Sequence, residues 1–245
     1  MSEANPSDDL NDLDNANRDA DNLSQTKGEL QQSAIVDRFR GYLPVVLDIE
    51  TGGFNAATDA MLEIAATMIR MSDTGQLYCG DTYNYHVAPF EGANIDPAAL
   101  EFTGIKPFHP LRPSQDEKAV LQDLFGHIRA EVKRTQCKRA IVVAHNAAFD
   151  QAFLNAAIER CAIKRSPFHP FSSFDTASLA GLALGQTVLA KACYYAGIEF
   201  DNKSAHNARY DCEKTADLFC HMVNRWQSLG GWPPPEPNRD AAEPA

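Results

Sequence analysis

An α/β domain built on a mixed β-sheet flanked by α-helices is the fold class that this 245-residue sequence predicts. Two observations predict it. Apolar runs too short for helices adjoin one another early in the chain. Later, segments with helical spacing alternate with such runs, as in a sheet covered by helices. A chain of this length can bury one good core, so a single domain is expected over residues 34–230.

The elements follow in order. Residues 1–33 begin with Glu3, Asp8, Asp9, Asp12, Asp14, Asp19 and Asp21 against Arg18 alone, which supplies −6 of the formal charge of −11. Almost no aromatic or β-branched residue occurs there, the composition of an acidic disordered tail. A helix is expected near Ala34–Arg40, then strands over Pro44–Glu50, Met61–Met71 and Asp81–Val87. Helices over Pro97–Thr103 and Glu117–Thr135 lead to a strand over Ala140–Ala144, apolar and too short for a helix. Spacing then predicts helices over Gln151–Ala162, Thr176–Leu184, Thr187–Ala196 and Asp211–Leu229, with Gly185 and Gly197 as carboxyl-terminal stops. Asp175 reads as an N-cap, and His169, between two prolines, as a turn residue. Residues 231–245 form a Pro-rich tail.

Chemistry concentrates at the ends of the apolar runs. In Val45-Val46-Leu47-Asp48-Ile49-Glu50, the period-two alternation of a strand puts Asp48 and Glu50 on one face. Two such acids repel each other and resist burial, so a cation between them is expected, and a hard divalent metal suits oxygen donors. A D-x-E pair also occurs on solvated strands. Asp150 follows the strand Ala140–Ala144 and opens a helical pattern, near the strand's carboxyl end where open α/β sheets hold ligands. Taken alone it also reads as a helix cap. Asp211 lies in the first turn of the last helix and His206 in the loop before it; separately these fit a macrodipole partner and a solvent-facing histidine.

Together, D-x-E at 48–50, H-N-x-x-F-D at 145–150 and H-N-A-x-x-D at 206–211 resemble the DEDD superfamily of 3′→5′ exonucleases, in the branch whose fifth residue is histidine. Four stretches carry a closer match to a subfamily of that branch that trims RNA 3′ ends: Asp48 to Asn55, Val143 to Asp150, Ser166 to Ala192 and Asn224 to Pro233. The resemblance spans roughly Ala34 to Pro233 and implies a ribonuclease H-like mixed sheet flanked by helices. It further implies that Asp48, Glu50, Asp150 and Asp211 ligate two Mg²⁺ ions, which Mn²⁺ can replace, with Asp48 bridging both. His206 is then the general base, a task suited to a side chain with a reference pKa of about 6.5. Phe54, Phe102, Phe149 and Phe171 take the role of stacking on the terminal nucleotides. Without the resemblance, each of these phenylalanines also reads as core. One departure stands out. Ala98 occupies the place of a glutamate four residues before Phe102, and Glu101 stands one residue from the aromatic instead, so the resemblance leaves open the family's disfavour for terminal cytosine, which is partly tied to that acid.

An acidic balance argues against nucleic acid until its distribution is considered. Arg129, Lys133, Arg134, Lys138 and Arg139 crowd one stretch against Glu131, and Arg38, Arg40, Lys164 and Arg165 add to it. This reads as a solvated helix face or, by the resemblance, as the patch that binds the body of the RNA. No apolar run approaches the ~20 residues of a membrane span. The acidic amino terminus is unsuited to a signal peptide, and six cysteines without C-x-x-C spacing fit reduced thiols in a cytoplasm rather than a zinc site. The resulting expectation is a metal-dependent homodimeric exoribonuclease that releases 5′-mononucleotides from single-stranded 3′ ends of structured RNA, chiefly tRNA. A DNA-proofreading exonuclease acting on single-stranded DNA ends and a non-catalytic RNA-end-binding module are the alternatives.

Overall fold

β-branched and apolar residues in Tyr42–Thr51 (β1) make the central strand, with Val45, Val46 and Leu47 fully buried. The computed structural model describes residues 35–233; the acidic segment at 1–33 and the Pro-rich segment beyond Pro233 lie outside them. A short helix, Ile35–Arg38 (α1), precedes β1. Then come β2 (Met61–Met71), β3 (Leu77–His86), α2 (Pro97–Thr103) and α3 (Glu117–Arg134). The rest is β4 (Arg139–Ala144), α4 (Ala147–Arg160), β5 (Phe168–Asp175), α5 (Thr176–Leu184), α6 (Leu189–Ala196) and α7 (Ala208–Ser228).

The strands form one mixed sheet in the order β3-β2-β1-β4-β5. β1–β2 and β2–β3 are antiparallel; β1–β4 and β4–β5 are parallel. Residues paired across strands share a face, which assigns the helices to sides. Thr67, opposite Val46, bonds to Cys212 of α7 (3.3 Å), so Val46, Asp48 and Glu50 face α7. Arg70, on the other face of β2, bonds to Glu131 of α3 (2.9 Å). Both faces are therefore covered, and every strand but the edge pair reads as a near-continuous buried run.

Two departures from expectation have clear causes. β3 begins at Leu77 rather than Asp81 because Leu77, Tyr78 and Cys79 pair with Met71, Arg70 and Ile69 of β2, and Gly80 leaves room for Arg70, whose Nε would lie 3.0 Å from a Cβ there. His169, flanked by Pro167 and Pro170, reads from the sequence as a turn residue, yet it lies in β5. The segment is a strand because an edge strand has no ladder partner on one side and tolerates proline, and its register with β4 breaks between Ala140 and Val142. Among the described residues, no helix is long and apolar enough to cross a membrane.

Candidate active site

The sheet delivers Asp48 and Glu50 at the carboxyl end of β1, where pairing with β2 slips by one residue between Glu50 and Thr51. Such irregularities end a ladder and re-aim side chains. Glu63 stands directly across from Glu50 and was not singled out by the sequence, since only the register reveals the juxtaposition. Its charge is met by His86 Nδ1 at 2.8 Å and Arg112 Nη2 at 3.9 Å.

β4 ends beside β1, and α4 starts so soon after it that Asp150 falls in its first turn, four residues inside the helix rather than at its opening. The Ile49 N–H, between the two acids of β1, donates to Asp150 Oδ1 (3.0 Å). The turn is held from the neighbouring strand. Asn146 is left-handed (φ 66°), and its N–H donates to Asp175 Oδ1 (2.9 Å), the same oxygen that caps α5 by accepting from Ala177 N–H (3.0 Å). His145 lies 2.9 Å from the Thr187 carbonyl through Nε2 and 3.0 Å from Thr176 Oγ1 through Nδ1. Burial lowers the His145 pKa, which favours the neutral ring.

Asn207 caps α7 by accepting the Tyr210 N–H (3.1 Å), which places Asp211 in the first turn. His206, also left-handed (φ 65°), donates its backbone N–H to Asp211 Oδ2 (2.8 Å). The other oxygen, Asp211 Oδ1, is buried without a hydrogen-bond partner. Glu50, His206 and Asp211 each bring a ligand atom within 4.8 Å of the others.

The electrostatics match this crowding. Burial, then repulsion by Asp150, Glu50 and Asp211, raises the Asp48 pKa well above the carboxylate range. Burial and repulsion by Asp211 and Glu63 push Glu50 up to about 7. Asp150 and Asp211 are also raised, chiefly by burial, against hydrogen bonds from Ile49 and His206 that favour the charged forms. A set of oxygen donors that resists ionisation, with one buried oxygen uncommitted, fits a divalent cation.

This fit has a consequence for stability. A raised folded-state pKa means the folded protein binds more protons than the unfolded chain, so stability falls as pH rises. For Glu50 that loss runs from about 4.5 to about 7. In EDTA the melting temperature should fall across this window, and added divalent metal should raise it more at pH 7.5 than at pH 5. Thermal melts at the two pH values, with and without metal, check it; an equal metal effect at both would contradict the assignment.

The expected aromatics divide into two groups. Phe54 (88% exposed) and half-buried Phe149, the residue before Asp150, meet edge to face at 6.2 Å, and Phe102 (68% exposed) lies 4.1 Å from the ring of His206, which belongs to the carboxylate cluster. Asp59, another residue the sequence did not flag, fixes the Phe54 loop by accepting from Asn55 N–H, Asn94 Nδ2 and Thr58 Oγ1 at 2.8–3.0 Å. It also explains Gly53, where a Cβ would sit 2.0 Å from Asp59 Oδ2. Phe171 is 80% exposed but lies in β5, not a loop, and its ring meets His169, which meets Tyr42 at the start of β1. The structure does not bring Phe171 to the other three.

The basic stretch is also divided. Arg129 and Lys133 are exposed on α3, whereas Arg134 is held by Glu131 (2.6 Å), which also takes Arg70. Arg139 opens β4 opposite Tyr42 and lines a depression of about 500 Å³ with Lys164 and Arg165. Six residues of strand separate it from the level of Asp48, roughly 20 Å at about 3.3 Å per residue.

With this geometry in view, the chain can be set beside known proteins. The exonuclease family model RNase_T matches residues 45–219. A ribonuclease T of Shewanella denitrificans is 59% identical over 206 residues, covering 84% of this chain and 91% of its own. A ribonuclease T of Shewanella putrefaciens is 61% identical over 196 residues, covering 80% and 88%. Among solved structures, E. coli exonuclease I in complex with a dT13 oligonucleotide superposes with a TM-score of 0.59 at 20% identity. That likeness is one of fold, over 78% of this chain and 43% of exonuclease I. The mixed sheet and its flanking helices are ribonuclease H-like, and the chain is a 3′→5′ exoribonuclease of the DEDD type, a class that uses divalent metal. Within that class it belongs to the ribonuclease T family.

Proposed function

We propose that the chain trims short single-stranded 3′ tails of structured RNA, chiefly tRNA, to 5′-mononucleotides by Mg²⁺-dependent hydrolysis, as a homodimer. The observation that carries this reading is the convergence of Asp48, Glu50, Asp150 and Asp211 beside His206, with Asp211 Oδ1 uncommitted. Two Mg²⁺ ions, replaceable by Mn²⁺, supply when bound an acidified water and neutralisation of the leaving oxygen. The four carboxylates would hold them, and Asp48 is repelled by each of the other three. His206 accepts a proton from the attacking water as the water oxygen bonds to phosphorus and the bond to the 3′-oxygen breaks, and the departing 3′-oxygen takes a proton from solvent to become a hydroxyl. Phe54, Phe102 and Phe149 orient the last nucleotides, and substitution of Glu by Ala98 removes one basis for discriminating against terminal cytosine. Hydrolysis of a 3′-tailed tRNA with Mg²⁺, and none in EDTA, is expected; binding without hydrolysis under both conditions would favour a non-catalytic end-binder. Faster cleavage of a tailed DNA duplex would favour a proofreading enzyme.

Stacking predicts a measurable loss. Phe149→Ala should weaken a short oligonucleotide by ~1–3 kcal/mol while leaving the salt slope of binding nearly unchanged. A titration at several salt concentrations reads both quantities, and an altered slope would mean that a phosphate contact had been lost instead.

The homodimer reading rests on distance. Arg139, Lys164 and Arg165 lie toward the opposite end of the sheet from Asp48, so a patch there serves a partner's site better than its own. A variant with Arg129→Ala, Lys133→Ala and Arg139→Ala, mixed with an Asp211→Asn variant, should regain up to about half the normal activity per dimer, although each parent is nearly inactive. No recovery after exchange confirmed by mass would sink catalysis across subunits.

A further inference from the structure

Beside the Phe102–His206 pair, a groove of about 920 Å³ separates the loop after α2 from the loop before α7. His206 lines it and also belongs to the carboxylate cluster, so the groove adjoins the reacting centre. Phe54, Phe102 and Phe149 do not line it. Its walls carry Lys106 and Lys203, both exposed and, among the described residues, without an ion-pair partner.

Glu63 lines the floor; its Oε1 is met by His86 and Arg112, and its Oε2 is buried without a hydrogen-bond partner. Arg112 is itself fixed by donating to the carbonyls of Leu62 (2.5 Å) and Val87 (3.0 Å). A phosphate entering between the lysines meets positive walls above an acid that Arg112 and His86 partly offset. Ile105, Pro113 and the Tyr210 ring add apolar surface on which a base can lie. The volume lies within the range of small-ligand clefts and suits a single nucleotide rather than a duplex.

We propose that this groove is an exit site for the released nucleoside 5′-monophosphate, with Lys106 and Lys203 holding its phosphate. The proposal rests on the reading of the chain as a hydrolase that liberates 5′-mononucleotides. His206 belongs both to the carboxylate cluster and to the groove wall, so a cleaved nucleotide that leaves past His206 enters the groove on the side where the lysines stand. A dianion leaving a cluster of carboxylates is drawn to unpaired positive charge such as the two lysines supply.

The test uses 5′-AMP as the probe and the full chain in EDTA, where uncompensated carboxylates repel phosphate and the groove is the favourable place for it. Calorimetry should detect 5′-AMP binding and much weaker binding of adenosine. A variant with Lys106→Gln and Lys203→Gln should bind 5′-AMP about tenfold more weakly, the scale of losing two partly exposed charge-assisted contacts. With Mg²⁺ present, the inhibition constant for 5′-AMP should rise several times more than the KM for a tailed RNA. No binding by the parent in EDTA, or equal binding by the variant, overturns the proposal. Equal weakening of 5′-AMP and tailed RNA also overturns it, because the groove then holds the substrate strand. The calorimetric arm needs no turnover, so a chain that fails to hydrolyse RNA refutes the proposed reaction while the occupancy of the groove is still read directly.

Discussion

Asp48→Asn is expected to abolish turnover, by at least about a hundredfold, while raising the melting temperature of the metal-free protein. The two effects share one origin. The Asp48 anion is disfavoured by burial first and then by Asp150, Glu50 and Asp211. A carboxamide has nearly the same shape and no charge, so it relieves that repulsion in the empty site. By the proposed reaction, the same relief would deprive a bound divalent ion of one anionic ligand. The structure around the position should persist, because the strand is fixed by its ladders to β2 and β4. RNA binding should change little, since the aromatics are untouched. Rate measurement on a 3′-tailed RNA and a thermal melt in EDTA decide the matter together. Activity within tenfold of the parent, or a metal-free protein that melts lower, would show that Asp48 is held by something other than electrostatic conflict.

Much of this site was legible because its spacing follows from local geometry. A period of two puts Asp48 and Glu50 on one face, and the interval from each Asn to the following Asp places Asp150 and Asp211 in first helical turns. What stayed hidden depends on register and on partners distant in sequence. Glu63 meets Glu50 only through antiparallel pairing, and Arg134 loses its free charge to Glu131, which also binds Arg70 from 61 residues away. Arg129, Lys133 and Arg134 look alike in the sequence, yet only the first two remain unpaired among the described residues. The β5 strand was missed for another reason: proline counts against strands in general, but an edge position removes the hydrogen bond that proline cannot make. Phe171 was misplaced with it.

His206→Ala should lower the rate constant for cleavage by roughly 10²–10⁴, the range for loss of a general base. Position alone makes the variant informative. The His206 backbone N–H, not its ring, orients Asp211 (2.8 Å), so truncating the side chain leaves that contact in place. Metal affinity should therefore fall far less than activity. The residue is left-handed (φ 65°), a conformation that alanine resists and asparagine tolerates. His206→Asn is accordingly the better control: it keeps the backbone, lacks a base, and should be as slow as the alanine variant. If asparagine restores most of the rate, the ring serves to hold the loop and not to take a proton. Raising the pH supplies hydroxide in place of the missing base, so the defect of both variants should shrink between pH 7 and pH 9 relative to the parent. A deficit that stays constant with pH, with metal affinity intact, would assign His206 to substrate contact through its Phe102 neighbour at 4.1 Å instead.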